Sequence, residues 1–223
     1  MELENWRILA HRGLWENTIQ QNTKEAISAA WDKGFSVEID IRDSNREVVI
    51  SHDPILISHG LNLETILDDL PVKNYQQQKQ VIALDVKADG LLALLPSCQS
   101  ANWDYFFFDM SVPEFQKYKG VHPKNLAGRL SEFEKELDSN SETPPWLWLD
   151  AFSSDWWLDD PVEREKLEPL SREAAIVIVS PELHGRDPGR VWEFFLSGVR
   201  DGMNLYICTD LPGKIAEQAK SEF

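Results

Sequence analysis

Eight short apolar runs recur along this 223-residue chain, with helix-like stretches between them. They fall at residues 8–10, 37–41, 81–85, 105–108, 126–128, 146–149, 175–179 and 205–208. Their brevity, their β-branched and aromatic content and their turn-residue borders predict strands buried on both faces. Between them, residues 23–33 carry Ala26, Ile27, Ala30 and Trp31 at helical spacing and meet Gly34, a natural stop. Residues 163–173 and 190–196 have a similar pattern. Strand–helix alternation with eight strands predicts a single-domain (β/α)8 TIM barrel over residues 1–223. The competing architecture is an open doubly wound sheet, but no Gly-rich dinucleotide turn follows the first run. An extra run at 48–51 is expected to pair locally after the second strand. Residues 131–145 are polar and acidic, end in Pro144-Pro145, and read as a loop with a short helix.

Side chains alternate along a strand, so Glu38 and Asp40 share one face while Val37, Ile39 and Ile41 take the other. If the apolar face packs on helices, the carboxylates point into the barrel near the strand's C-terminal end, where such barrels carry their active sites. Asp85 and Lys87 share a face by the same reasoning. His11, Asp109, Asp150 and Asp210 also end apolar runs, and His52-Asp53 follows the extra one. Converging buried carboxylates cost on the order of several kcal/mol unless a cation or hydrogen bonds compensate. Three of them therefore point to a metal. Two histidines, three carboxylates, Arg12 and Lys87 suit metal-assisted cleavage of a phosphodiester: oxygen ligands for a hard cation, cations for the phosphate, imidazoles for proton transfer.

Composition narrows the partners. A net charge of −16 argues against nucleic acid, and no basic face favours anionic membranes. Cys98 and Cys208 are the only cysteines and show no Cys-x-x-Cys spacing, so neither a disulfide framework nor a zinc site is expected. The first residues lack the apolar core of a signal peptide, and no apolar run approaches a membrane span. A cytoplasmic protein without stable membrane insertion is the expectation.

The ordered motifs His11-Arg12-Gly13, Gln21-Asn22-Thr23, Glu38-Ile39-Asp40, His52-Asp53 and Asp85-Val86-Lys87 give the chain a family likeness. It resembles the glycerophosphodiester phosphodiesterases, within the wider group of phosphatidylinositol-phospholipase-C-like barrels. Weaker support lies in residues 180–184 and 209–212. The resemblance implies one divalent cation, Mg²⁺ or Ca²⁺, held by Glu38, Asp40 and Asp85. It implies His11 and His52 as the acid–base pair, Arg12 and Lys87 on the phosphate, and a small glycerophosphodiester as substrate. Gln21 stands where the family carries Glu, and Asp85 where it usually carries Glu. Sphingomyelinase D-like phospholipases share that aspartate, so a lipid phosphodiesterase is the alternative. Only a short segment separates His52 from Asp85, so the large insertion subdomain common in the family is absent. A second alternative is a non-catalytic barrel that binds a phosphorylated ligand.

Trp15, Asn22 and His184 are candidate pocket residues. His59 and His122 read as surface or turn residues. Arg129, Asp109, Asp150 and Asp210 divide between the barrel mouth and structural ion pairs. The tryptophans at 146, 148, 156 and 157 suit core packing or a homodimer contact better than a lipid-facing rim.

Overall fold

The computed structural model describes residues 3–55, 60–70, 80–95, 104–135 and 142–222; His59 and Cys98 lie outside them. Its strands are β1 (Ile8–His11), β2 (Ser36–Ser44), β3 (Glu47–Ile50), β4 (Leu61–Asn62), β5 (Val81–Val86), β6 (Asp104–Phe108), β7 (Ala127–Leu130), β8 (Trp146–Leu149), β9 (Ala175–Val179) and β10 (Leu205–Thr209). The eight expected runs are all strands. Parallel ladders join β6–β5–β2–β1–β10–β9–β8–β7. Between β6 and β7 there is an isolated parallel bridge, Phe107 to Leu126, instead of a ladder. Asn125 staples that seam, accepting from the Phe107 amide at 2.9 Å and donating from its side chain to the Tyr105 carbonyl at 2.8 Å. The arrangement is the expected single-domain (β/α)8 type.

Alternation along the strands produces two separate cores. Val37, Ile39, Ile41, Leu84 and Val86 belong to an outer core shared with the helices. Leu9, Ala83, Phe106, Phe108, Trp148 and Val177 belong to an inner core within the ring of strands. Phe108 stacks on Trp148 with centroids 3.9 Å apart, and Phe106 on Trp146 at 4.5 Å. The tryptophans of β8 are thus core residues. Cys208 has an unpaired, buried thiol in the same layer.

The outer shell comprises α1 (Lys24–Asp32), α2 (Leu63–Asp69), α3 (Val112–Val121), α4 (Trp156–Asp159), α5 (Pro161–Glu173), α6 (Gly189–Arg200) and α7 (Pro212–Glu222). Thr23 caps α1 by accepting from the Ala26 amide at 3.2 Å, and the helix buries Ala26, Ile27, Ala30 and Trp31. Helix α3 escapes a periodicity search because Val112 and Val121 are exposed while Glu114 and Tyr118 face inward. The extra run is β3, antiparallel to β2 through Ile41–Ile50, and β4 adds a short third strand to that excursion. No helix occupies the described residues between β7 and β8; Ser131 and Glu134 close a turn there. Among the described residues, no helix is long and apolar enough to cross a membrane.

Candidate active site

Strand register assembles the carboxylates. His11 lies opposite Glu38 across the β1–β2 ladder, and Asp40 lies opposite Asp85 across β2–β5. Because the neighbouring residues on the other face are outer-core aliphatics, Glu38, Asp40 and Asp85 turn inward, as alternation predicts. They are 2%, 0% and 7% exposed, and one oxygen from each lies within 4.8 Å of the others. Asp40 Oδ1 and Asp85 Oδ1 are buried and lack a hydrogen-bond partner. A trio of clustered oxygen donors with two unsatisfied oxygens is a donor set fit for a hard divalent cation.

The cations surround this trio. Lys87 Nζ sits 2.5 Å from Asp85 Oδ2, 3.4 Å from Asp40 Oδ1 and 3.7 Å from Asp109 Oδ2. Arg12 Nε lies 2.8 Å from Asp40 Oδ2, and its Nη1 donates to Gln21 Oε1 at 3.2 Å. Gln21 thus acts as a neutral acceptor that orients Arg12. Asn22 donates to Asp40 Oδ2 at 2.7 Å and accepts from the Asp40 amide at 3.3 Å. Arg12 and Asn22 both have left-handed backbones, φ 59° and 58°, a conformation that side chains beyond glycine rarely adopt. The Asn22 amide donates to the Arg12 carbonyl at 3.0 Å, so each strained residue braces the other. Gly13 has φ +88°, and a Cβ there would come within 2.6 Å of the Ala26 carbonyl carbon of α1. Only glycine lets this turn lie on the helix.

Burial dominates the electrostatics. It pushes the Glu38 carboxyl well up, with Asp40 and Asp85 adding repulsion and Arg12 and Lys87 opposing it. Burial likewise raises Asp85 to about 7, against the pull of Lys87. Lys87 is disfavoured by burial, but the Asp85 carboxylate overcomes this and lifts it to about 12. Without a bound cation, burial and mutual repulsion thus oppose ionisation of Glu38 and Asp85 more than the lysine and arginine favour it, and a divalent ion would supply the missing compensation.

His11 and His52 differ in setting. His11 is largely buried; its Nδ1 lies 2.6 Å from Asp210 Oδ1 and its Nε2 3.8 Å from Glu38 Oε2. Asp210 fixes the ring so that Nε2 faces the carboxylate trio. Glu182 supports this arrangement in turn. It accepts from the Asp210 amide at 3.2 Å and from the Thr209 hydroxyl, while Ser180 bridges Glu182 to the Trp192 indole. The sequence singles out residues 180–184 only as weak support for the family likeness, without this bracing role. His52 is half-exposed in the turn after β3, and its Nδ1 bonds Asp53 Oδ1 at 2.9 Å. The Ser51 amide donates to the Asp40 carbonyl at 3.0 Å, tying this turn to β2.

The other candidates lie elsewhere on the barrel. The Trp15 indole donates to the His11 carbonyl at 2.9 Å, while its ring lines a groove beside α1 with Ile19, Ala26 and Ala29. Glu38, Asp40 and Asp85 do not line that groove. His184 follows β9 and bonds Asp150 Oδ1 at 2.7 Å. Arg129 pairs with Asp109 at 2.5 Å and with Glu134, so Arg129 and Asp109 tie β7 to the end of β6. His122 caps the end of α3 and packs on Phe107, 5.4 Å between centroids, which makes it a structural residue.

No protein-family model matches the chain, and no curated protein matches it. Solved structures do. A glycerophosphodiester phosphodiesterase from Agrobacterium tumefaciens str. C58 superposes with a TM-score of 0.61 at 18% identity, covering 96% of this chain and 98% of that one. Its counterpart from Thermotoga maritima gives 0.62 at 18% identity, covering 95% and 97%. The chain has the fold of these phosphodiesterases.

Proposed function

We propose that this protein is a metal-dependent phosphodiesterase that cleaves a small glycerophosphodiester to glycerol 3-phosphate and an alcohol. The observation that carries the reading is the buried trio Glu38, Asp40 and Asp85, flanked by Arg12, Lys87 and an aspartate-held His11. The fold shared with two glycerophosphodiester phosphodiesterases supports it.

A divalent cation, Mg²⁺ or Ca²⁺, bound by the three carboxylates would offset charge on the non-bridging phosphate oxygens. Arg12 and Lys87 hold the phosphate by the same attraction. One of His11 and His52 takes the proton from the attacking hydroxyl, and the other returns a proton to the departing alcohol oxygen. A substrate hydroxyl next to the phosphoester is the favoured nucleophile, because intramolecular attack gains from proximity; it expels the alcohol and leaves a five-membered cyclic phosphate, which water then opens to glycerol 3-phosphate, the two histidines moving the protons in the reverse order. The substrate is small and soluble, and the protein is read as cytoplasmic, with neither nucleic acid nor membrane as partner. A homodimer is compatible with this reading. Asp85, with one methylene fewer than glutamate, supports a second reading as a sphingomyelinase D-like lipid phosphodiesterase.

The test is a panel of phosphodiesters assayed with Mg²⁺, with Ca²⁺ and with excess chelator, on wild type and Glu38→Gln. Turnover of glycerophosphodiesters should vanish with chelator and in the variant, while circular dichroism stays unchanged. Full turnover by metal-depleted protein would overturn the reading. Exclusive action on sphingolipids or lysolipids would transfer it to the lipid-directed alternative.

A further inference from the structure

Opposite the carboxylate trio, the mouth carries a second histidine–aspartate pair that the phosphate chemistry does not use. In the ring order β1–β2–β5–β6–β7–β8–β9–β10, the strands that follow Asp150 and His184 back into the barrel, β8 and β9, lie four places from β2 and β5. Asp150 immediately follows β8 and is 8% exposed. Its Oδ1 accepts from the Ala151 amide at 2.7 Å and lies 2.7 Å from His184 Nε2. His184 Nδ1 makes no hydrogen bond among the described residues. The Phe152 ring sits 5.3 Å from His184 and 6.1 Å from Phe133, and Phe152 and Phe133 are 45% and 78% exposed.

The segment that places His184 also serves the first pair. Residues Pro181–His184 form a single 3-10 turn after β9, with Glu182 bonded to the Asp210 amide and His184 to Asp150. Both histidines are thus set on the same C-terminal face of the barrel. The nearby cations are already engaged: Arg186 pairs with Asp155 and the Ala151 carbonyl, and Arg129 with Asp109 and Glu134. Asp150 and His184 are left with polar capacity on the wall opposite the carboxylate trio.

Resting on the phosphodiesterase reading, we infer that Asp150, His184 and Phe152 form the subsite for the leaving alcohol, and that this alcohol is polyhydroxylated. A carboxylate accepts hydroxyl protons, an imidazole nitrogen donates or accepts, and an exposed phenyl ring packs the C–H face of a polyol or sugar. An alkyl alcohol would cover Asp150 and offer it no hydrogen bond, an unfavourable desolvation. A quaternary amine has no N–H or O–H to donate, so it would leave the remaining hydrogen-bonding capacity of Asp150 and His184 unused.

The experiment compares three glycerophosphodiesters with Mg²⁺ present, their leaving alcohols being a hexitol, butanol and choline. Wild type should favour the hexitol ester by at least tenfold in kcat/KM. His184→Gln and Phe152→Ala should lose most of that preference, raising KM on the hexitol ester at least fivefold more than on the butanol ester. Equal wild-type rates on all three, or a preference for choline or butanol, would overturn the subsite. So would a uniform loss on every ester, which marks a structural pair. Failure of wild type to turn over any diester would instead overturn the phosphodiesterase reading, and this inference with it.

Discussion

Asp210 and His11 meet across 199 residues of chain, Oδ1 to Nδ1 at 2.6 Å, and that contact aims the free imidazole nitrogen at Glu38. Replacing Asp210 with alanine frees the ring to rotate, and misplacing a reacting group by an ångström costs on the order of 10²-fold. Asp210→Ala should therefore lower kcat by about that factor with little change in KM. Asp210→Asn keeps an acceptor for Nδ1–H and should recover much of the loss. Identical kcat in wild type and Asp210→Ala would show that the contact is purely structural.

Metal-dependent stability should vary with pH. An ordinary aspartate titrates near about 3.9, whereas burial raises Asp85 to about 7 and Glu38 well above its usual range. The fold thus prefers these groups protonated. Metal-free protein has that stability in full below about pH 4 and loses it as pH rises through about 7. Divalent ions bind the deprotonated oxygens. Thermal melts with Mg²⁺ or Ca²⁺ should accordingly show a larger stabilisation at pH 8 than at pH 5.5. An equal shift at both values would remove Asp85 and Glu38 from the ligand set.

His52 offers the cleanest separation of chemistry from folding, because it is half-exposed and, among the described residues, bonded only to its neighbour Asp53. His52→Ala should leave the melting temperature within a degree or so and lower kcat by about 10²- to 10⁴-fold, the usual range for a lost acid or base. A variant with near-normal turnover would leave His11 alone as the proton carrier.

Gly13→Ala should act through stability. A left-handed backbone and a Cβ 2.6 Å from the Ala26 carbonyl carbon together cost at least about 2 kcal/mol. For a domain of this size that is a fall in melting temperature of about 4–8 °C. A melt within a degree of wild type would mean that the turn can lift from α1 freely.

The carboxylate trio was legible in the sequence because it rests on period-two alternation: Glu38 and Asp40 must share a face, and the apolar residues between them choose the other. Asn22 was legible as part of its motif, although its two bonds to Asp40 were not. The Asp210–His11 contact was not legible as a pair, since strand register alone brings those residues together and no local pattern encodes register over such a separation. Gln21 read as a departure from a charged residue; its role as an acceptor for Arg12 depends on the left-handed turn at Arg12. Helices α3 and α7 were missed for a different reason. Each buries a narrow face, and α3 fills part of its face with a glutamate and a tyrosine.

The single bridge between β6 and β7 divides labour within the ring. One half, β1, β2, β5 and β6, carries His11, Arg12, all three carboxylates and Lys87; the other carries Arg129, Asp150, His184 and Asp210. Among the described residues, the strand pairing that joins the halves is three residue pairs of the β1–β10 ladder and that lone bridge, supplemented by the Asn125 staple and by the Asp109–Arg129 and His11–Asp210 side-chain contacts. Substitutions in the β7–β10 half can thus reshape one wall of the mouth while the carboxylate register stays fixed, because β2 and β5 take their alignment from each other and from β1 and β6. The seam makes the fold modular: a descendant can acquire a new wall without having to rebuild the old cluster of acids.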